Sequence, residues 1–230
     1  MTNSDNTTSH QVNDYDSDIS STIPYYQSFH QETINIIKAI GNEPETWLDT
    51  GCGTGSLIKM ALKNFPNTRF ILGDPSPDML IKAQEKLSTY SQKRIKILEP
   101  LTTQQLSLEI CPPVDVITAI QSHHYLSSKD RKKAINACYA ILNKKGVFIN
   151  FENIRPASDE GIRIGKENWK KFQLSCGRSE NTVNGHLNRF DKGYFPITIE
   201  EHLSILKKTG FRVVELFWFS YMHAGFYAIK

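Results

Sequence analysis

A run of glycines is the part of the sequence best suited to hold a ligand. Residues 48–56 read Leu-Asp-Thr-Gly-Cys-Gly-Thr-Gly-Ser, directly after a short apolar stretch. A strand that turns sharply into a helix needs glycine, because glycine adopts positive φ and has no side chain to obstruct a ligand. The amides at the start of the following helix then point at a polar or anionic group. The run predicts a cofactor cradle formed by Gly51, Cys52, Gly53 and Gly55.

Two carboxylates flank this cradle in a way that suits a nucleoside cofactor. Asp49 precedes the glycines, and Asp74 follows the next predicted strand, about twenty residues after the last glycine. A carboxylate at that place accepts hydrogen bonds from both ribose hydroxyls. The alternative is that Asp74 only caps the turn before Pro75 and Ser76, but the glycine turn upstream favours the ribose role.

The segment Gln-Ser-His-His-Tyr at 121–125 offers groups for acid–base chemistry. It follows a predicted strand, and ligands of open parallel sheets lie beyond the carboxyl ends of their strands. We therefore expect Gln121 to border the cofactor. His123 or His124 is the candidate catalytic base, since imidazole takes a proton near neutral pH. The alternative is that one histidine hydrogen-bonds within the fold and the other only shapes the pocket.

The elements that must position these residues alternate between strand and helix. Apolar strands are predicted at 46–49, 69–73, 94–98, 114–120 and 147–151, and helices at 25–40, 56–64, 77–88 and 130–142, the last closed by residues 143–146. This alternation with short turns favours a parallel sheet covered by helices on both faces. Helices at 164–175 and 199–209 then precede two aromatic-rich strands at 211–220 and 223–229, which predict an antiparallel hairpin.

The predicted fold class is therefore α/β, a seven-stranded, mostly parallel Rossmann-like sheet that ends in an antiparallel hairpin. We expect a polar, disordered tail at 1–14 and a single domain at 15–230. Residues 154–197 are polar, aromatic and glycine-rich, and they are expected to form a helical or irregular cover over the substrate.

Composition narrows the function classes. Lys and Arg number 27 against 24 Asp and Glu, and a net charge of +3 is not typical of a dedicated nucleic-acid binder. The polar N-terminus and the lack of a long apolar run predict a cytoplasmic protein without membrane attachment. The four cysteines have no metal-ligand spacing, so no metal site and no disulfide scaffold are expected.

Several of these segments together resemble the class I S-adenosylmethionine-dependent methyltransferases. They are the glycine run, residues 73–80 (GDPSPDML), residues 114–125 and residues 140–151 (AILNKKGVFINF). A dinucleotide-binding turn has Gly-x-Gly-x-x-Gly/Ala, whereas the spacing here, Gly-x-Gly-x-Gly, is that of the Rossmann-like methyltransferases. The resemblance covers residues 15–155 and implies an enzyme that uses S-adenosylmethionine as its cofactor.

The resemblance also implies roles for individual residues. The glycine turn and Asp49 would hold the methionine half of the cofactor. Asp74 would bind the ribose, with Pro75 and Met79 beside it, and Gln121 would face the sulfonium side.

Two further features follow from the same resemblance. The stretch that contains Tyr15 would fold over the cofactor as a lid, the alternative being an ordinary amphipathic helix. The family often has an acid after the third strand that contacts the adenine amine. Leu101 occupies that place here, with Glu99 two residues earlier. We therefore expect backbone groups and apolar packing to hold the adenine.

Candidate substrate contacts lie outside the motifs, at Tyr25, Tyr26, Glu152, Trp169 and Arg189. Arginine pairs with carboxylates and phosphates, although a solvated arginine, an aromatic core and a polar strand end are the alternatives for these residues. The expected acceptor is an oxygen, nitrogen or sulfur atom of a small molecule, and the expected assembly is a monomer or homodimer. An RNA or protein methyltransferase and a non-catalytic S-adenosylmethionine-binding module are the alternative functions.

Overall fold

A single seven-stranded sheet organises the protein. The structure, a computed structural model, describes residues 14–107 and 112–230, so the predicted tail lies outside the described residues except for Asp14. The strands are β1 (Thr46–Thr50), β2 (Arg69–Gly73), β3 (Ile95–Ile97), β4 (Val114–Ile120), β5 (Leu142–Asn153), β6 (Val213–Ser220) and β7 (His223–Ile229). Their order in the sheet is β3-β2-β1-β4-β5-β7-β6, and only β7 runs antiparallel to its neighbours. The predicted sheet with its C-terminal hairpin is confirmed.

Helices cover both faces of this sheet. They are α1 (Tyr15–Thr22), α2 (Tyr26–Ile40), α3 (Ser56–Asn64), α4 (Pro77–Leu87), α5 (Ser128–Ile141), α6 (Asp159–Ser175), α7 (Glu180–Leu187) and α8 (Ile199–Thr209). One core contains Phe29, Trp47 and Phe151, and a second, on the other face, contains Ile117 and Phe148. A parallel strand buried on both faces reads as a continuous apolar run, which is why these strands were visible in the sequence.

Short hydroxyl side chains begin most of the helices. The residues that accept a backbone N–H bond at helix starts are Ser76 of α4, Ser127 of α5, Ser158 of α6, Ser179 of α7 and Thr198 of α8. Such caps satisfy N–H groups that have no partner inside the helix. The two helices nearest the candidate cradle are different, since α2 and α3 begin after left-handed residues, Tyr25 and Gly55, without a side-chain cap.

The N-terminal helix was not predicted. Residues 15–22 form α1, and the helix expected from residue 25 begins at Tyr26 after a break. Pro24 lacks an N–H donor and Tyr25 has φ of 58°, so the chain turns there rather than continuing one helix. The short α7 was also missed, because an eight-residue helix containing Asn184 and Gly185 has little helical propensity of its own.

The fifth strand is longer than predicted. Residues 143–146 were expected to close α5, but β5 begins at Leu142 and runs to Asn153. Leu142 pairs with Val114, and the register shifts before Val147 pairs with Val116. Lys145, with φ of 68°, lies in this irregular part. The prediction was wrong because polar residues that indicate a turn are tolerated in a bulged strand.

Within the described residues, no helix is long and apolar enough to cross a membrane.

Candidate active site

The glycine turn connects β1 to α3, and all three of its glycines have positive φ, 66° at Gly51, 53° at Gly53 and 75° at Gly55. A Cβ at Gly51 would lie 2.5 Å from the Cβ of Ser122, and one at Gly55 would lie 3.3 Å from Ala83 of α4. A Cβ at Gly53 would meet nothing within 4 Å. Gly51 and Gly55 are thus required by packing, whereas Gly53 borders open space on which a ligand can lie.

Asp74 fastens this turn to the end of β2. Its Oδ2 accepts the N–H of Gly53 at 2.9 Å, and its Oδ1 accepts the N–H of Ser76 at 2.9 Å. The N–H groups of Gly51 and Cys52 donate to the carbonyl of Gly73 at 2.8 and 3.1 Å. Burial raises the pKa of Asp74, and the two N–H bonds oppose that rise in part. The carboxylate therefore keeps lone pairs for a ligand while it holds the cradle in shape.

Asp49 is a buried acid whose side chain is hydrogen-bonded by a neutral hydroxyl. Its side chain is 2% exposed, and Oδ1 accepts the hydroxyl of Thr118 at 2.6 Å. Burial raises the pKa of Asp49 to about 7; the Thr118 bond opposes the rise and the charge of Asp74 adds to it. A buried carboxyl in this condition is stabilised as an anion by a nearby cation. The group is suited to an ammonium ligand.

Gln121 carries two signs of a ligand site. Its φ of 55° is unusual for a residue other than glycine, although its N–H donates to the carbonyl of Phe151 at 2.7 Å. Both side-chain amide atoms are buried without a hydrogen-bond partner in the protein. Strained backbone and unpaired buried polar atoms concentrate at functional sites.

Two buried tyrosines lie near these carboxylates. The side chains of Tyr15 and Tyr26 hydrogen-bond each other, and burial raises the pKa of both hydroxyls. Tyr15 lies in the field of Asp74, and Tyr26 lies in that of Asp49. Tyr25 does not join them. It is 59% exposed and packs against Trp218 and Tyr221 on the outside.

The neighbouring residues of the cofactor motif are placed differently from one another. Met79 is buried in the first turn of α4, and Pro75 is exposed beside Asp74. Leu101 leans over the end of β2, where its Cδ2 would be 3.6 Å from a Cβ on Gly73, and its N–H donates to the carbonyl of Asp74. Glu99 is exposed. The side chain near the end of β2 is apolar, and the way in which adenine is held stays a prediction.

His124 and Glu152 form a pair at the carboxyl ends of β4 and β5. Oε2 of Glu152 lies 2.8 Å from Nδ1 of His124 and also accepts the His124 N–H, while Oε1 accepts the N–H of His123. Burial raises the pKa of Glu152, but the bond and charge of His124 outweigh it, so the pKa lies below its usual value. An ionised carboxylate only accepts, so Nδ1 of His124 carries the proton of this bond, and Nε2 is the nitrogen through which the ring could exchange a proton.

His123 has a different environment. Its ring is 1% exposed, stacks on Phe148 with 6.1 Å between ring centroids, and has neither nitrogen hydrogen-bonded. Burial lowers its pKa to about 4. Glu152 and Arg131, whose Nε donates to the carbonyl of His123, are the nearest charges. The geometry favours His124 over His123 as a proton acceptor.

The region after β5 packs against this pair. Tyr194 lies 6.0 Å from His124 between ring centroids, and the charge of Arg189 acts on the Tyr194 hydroxyl. Arg189 is half-buried and folds over Gly193. Trp169 is fully buried and its Nε1 donates to the carbonyl of Thr22 at 2.6 Å. Arg189 is thus close to the candidate base, whereas Trp169 lies in the core of this region.

Comparison with known proteins finds a matching family model and similar proteins. A family model described as a methyltransferase domain matches residues 48–148. Proteins named carboxy-S-adenosyl-L-methionine synthase, from Trichodesmium erythraeum and Staphylococcus epidermidis, are 24% and 25% identical; the matches cover 87% and 95% of this chain and 79% and 93% of theirs. Magnesium protoporphyrin IX methyltransferase from Synechocystis, solved with S-adenosylhomocysteine, superposes with a TM-score of 0.65 at 16% identity, over 97% of this chain and 90% of its own.

These matches support a class I S-adenosylmethionine-dependent methyltransferase, an enzyme that uses S-adenosylmethionine as its cofactor. Several other matching structures are longer proteins, of which this chain spans 54 to 59%.

The residues of the methyltransferase turn fit this cofactor. The buried Asp49 lacks a cation that the methionine ammonium would supply, and Gly53 leaves room beside it. Asp74 offers oxygens to the ribose. Within the described residues, no group of His, Cys, Asp and Glu could hold a metal ion.

Sequence reasoning missed the contact that ties the glycine turn to the N-terminal helix. Lys86 of α4 bonds to Asp16 of α1. The contact joins residues far apart in the chain, and one of them is on a helix that was not predicted. Only the acid in the first turn of α1 was a visible signal, and it could not identify its partner.

Proposed function

We propose that the protein transfers the methyl group of S-adenosylmethionine to an oxygen, nitrogen or sulfur atom of a small molecule. The observation that carries this proposal is the His124–Glu152 pair at the same sheet edge as the glycine turn. An imidazole whose tautomer is fixed by a carboxylate is the arrangement that a general base requires.

The proposed mechanism assigns one task to each group. The bound sulfonium supplies an activated methyl group. Asp49 would hold the ammonium, and Asp74 would hold the ribose hydroxyls. The side-chain amide of Gln121 would hydrogen-bond to the cofactor or to the acceptor. Nε2 of His124 would take the proton of the acceptor, so that the lone pair of the acceptor atom could bond to the methyl group, with S-adenosylhomocysteine as the leaving group.

The surroundings of the base support an enclosed reaction. His124 and Glu152 are almost fully buried, and the buried Tyr15 and Tyr26 lie near the two carboxylates on the cofactor side. Orientation and removal of water supply much of the rate of an in-line displacement. Residues 154–197 are proposed as the substrate cover, with Arg189 as the contact for a negatively charged acceptor group.

The names of the relatives support a second candidate. Their similarity covers most of this chain, and their name describes a carboxylated form of S-adenosylmethionine. In that candidate the cofactor itself would receive a carboxyl group, and Arg189 would hold the carboxylate of the donor. An RNA or protein acceptor is less favoured, since a net charge of +3 is small for a nucleic-acid binder.

A mass-spectrometric screen tests both candidates. The purified protein is incubated with S-adenosylmethionine and a metabolite extract, with the His124→Gln variant as the matched control. A metabolite that gains one methyl group, together with S-adenosylhomocysteine, supports methyl transfer. A cofactor that gains one carboxyl group supports the second candidate instead. If neither product forms at a rate above that of the variant, the proposed role of His124 is wrong.

A further inference from the structure

Lys86 lies at the centre of a small polar network beside the glycine turn. Its Nζ donates to Oδ2 of Asp16 at 2.6 Å, to Oγ1 of Thr54 at 2.6 Å and to Oγ of Ser56 at 2.7 Å. Lysine has three N–H donors, so all of them are used. The side chain of Lys86 is only 17% exposed, which shields these bonds from water.

Asp16 closes the network from the side of α1. Its Oδ1 accepts the hydroxyls of Thr54 at 2.8 Å and Ser56 at 3.0 Å, while Oδ2 binds Lys86. Thr54 directly follows Gly53, so the carboxylate reaches the turn that cradles the cofactor. A network of this kind is worth more than an isolated surface ion pair, because each group is held by several partners.

Tyr15 is the neighbour of Asp16 in α1, and its ring lies beside Tyr26 in the field of Asp74. The network that fixes Asp16 therefore also restrains Tyr15 beside Asp74. When the Asp16–Lys86 contact breaks, the first turn of α1 loses its polar attachment to α4 and keeps only the hydroxyl bonds from Thr54 and Ser56.

The other end of α1 is attached to the region after β5. The carbonyl of Thr22 accepts the Nε1 hydrogen of Trp169 at 2.6 Å, and its hydroxyl accepts a bond from Arg178 at 2.5 Å. Between these ends, Ile19 is buried against the core. The eight residues of α1 thus form a strap from the cofactor turn to the helix α6.

We infer that Lys86 and Asp16 are positioning residues that latch this strap over bound S-adenosylmethionine and set the rate at which the cofactor leaves. Neither residue touches the reacting atoms. The latch acts through Tyr15, and it joins the cofactor turn to the region proposed as the substrate cover. The inference rests on the proposed placement of the cofactor at Asp49 and Asp74.

The first test measures the dissociation of S-adenosylhomocysteine by surface plasmon resonance. Lys86→Met is compared with Lys82→Met, which removes a lysine one turn away that pairs with Glu85 on the same helix. We expect Lys86→Met to speed dissociation by about tenfold, with wild-type rates for Lys82→Met. Equal rates in wild type and Lys86→Met would overturn the latch.

A double-mutant cycle separates the latch from a general loss of stability. Asp16→Asn should also speed dissociation, and Asp16→Asn combined with Lys86→Met should be no faster than the faster single variant, because both remove the same contact. Raising the salt concentration from about 0.05 M to about 1 M should speed dissociation from wild type but not from Lys86→Met. Additive effects in the cycle, or equal salt dependence in the two proteins, would contradict the inference.

Hydrogen exchange tests the connection to α6. S-adenosylhomocysteine should slow exchange in the amides of both α1 and α6 in wild type, and only around the glycine turn in Lys86→Met. Slowed exchange in α6 of the variant would show that the strap does not connect the two. Asp74→Asn distinguishes failure of the latch from failure of the proposed cofactor placement. If Asp74→Asn binds S-adenosylhomocysteine with full affinity, the placement is wrong. If it loses affinity while Lys86→Met dissociates at the wild-type rate, only the latch is rejected.

Discussion

The part of the site around the glycine turn, the cofactor end, and the part around His124, the acceptor end, are built in opposite ways. At the cofactor end, a contiguous turn supplies backbone groups, and burial raises the pKa of Asp49 and Asp74, which favours a cationic ligand. At the acceptor end, side chains from β4, β5 and the region after β5 converge, and burial lowers the pKa of His123 to about 4. The bond and charge of His124 lower the pKa of Glu152 there and favour its charged form.

The difference separates recognition from chemistry. A cofactor shared by a whole family can be bound by one local motif, since its shape and charge do not vary. An acceptor that differs between enzymes requires a pocket of residues from several elements, each of which can be exchanged. The comparison makes predictions for each end of the crevice.

The largest expected effect is at the acceptor end, on turnover. His124→Gln should lower kcat for the acceptor found in the screen by about 10²- to 10⁴-fold, because general-base catalysis contributes about that much. The affinity for S-adenosylhomocysteine, measured by calorimetry, should stay within about threefold, since the ring belongs to the acceptor end. If His124→Gln instead lost affinity for S-adenosylhomocysteine and kept its turnover, His124 would belong to the cofactor end.

The next largest effect is at the cofactor end, on binding. Asp74→Asn should weaken binding of S-adenosylmethionine by about 100-fold, because hydrogen bonds to a charged group contribute about 1.5–3 kcal/mol each. Asp78→Asn, four residues along and exposed in the first turn of α4, is the matched control and should bind normally. Unchanged affinity for Asp74→Asn in calorimetry would place the ribose elsewhere.

A pH dependence of binding is the third prediction. The pKa of Asp49 in the free protein is about 7, and the ammonium of the cofactor binds the carboxylate form. Below about pH 7 a proton must leave on binding, so affinity should fall by up to about tenfold per pH unit between about pH 7 and about pH 5. Calorimetry across that range checks this.

Asp49→Asn is the control for that prediction. It should bind weakly at every pH and without this slope. It should also raise Tm at about pH 8, because the folded protein no longer has to ionise a buried carboxyl. A flat binding profile in wild type would mean that Asp49 does not meet the ammonium.

The smallest effect on turnover is expected for His123→Phe. The variant should keep kcat within about threefold, since the ring packs on Phe148 and both of its nitrogens are unpaired. It should resist acid better than wild type. A histidine whose folded pKa is lowered to about 4 costs stability as pH falls below its unfolded value of about 6.5.

At about pH 5 the buried neutral His123 lowers the free energy of unfolding by about 2 kcal/mol, a difference that urea unfolding of wild type and His123→Phe would measure. A large loss of turnover in His123→Phe would remove the distinction between the two histidines.

The cofactor end was predictable from sequence, and the acceptor end was predictable only in part. Gly51, Gly53 and Gly55 report their own backbone conformation, since few other residues adopt positive φ. The buried parallel strands were also predictable. In a chain that alternates strands and helices, a short apolar run between two turns is best explained as a buried strand.

The pairing of His124 with Glu152 could not be read in the same way. Both residues were candidates, but the bond between them depends on β4 and β5 being adjacent and on where each strand ends. Helix α1 was missed for an opposite reason: its eight residues are held by contacts with α6 and with the glycine turn rather than by their own propensity. Whether such an element forms depends on contacts with residues far away in the sequence. A single sequence does not show which residues make those contacts.

The attachment of α1 at both of its ends has a consequence for steady-state kinetics. A helix tied to the glycine turn through Asp16 and to Trp169 through Thr22 must loosen before the nucleoside passes. Acceptor bound first would hold the Trp169 end in place and block that passage. Substrates should therefore add in a fixed sequence with S-adenosylmethionine leading. S-adenosylhomocysteine should then inhibit competitively against S-adenosylmethionine and noncompetitively against the acceptor.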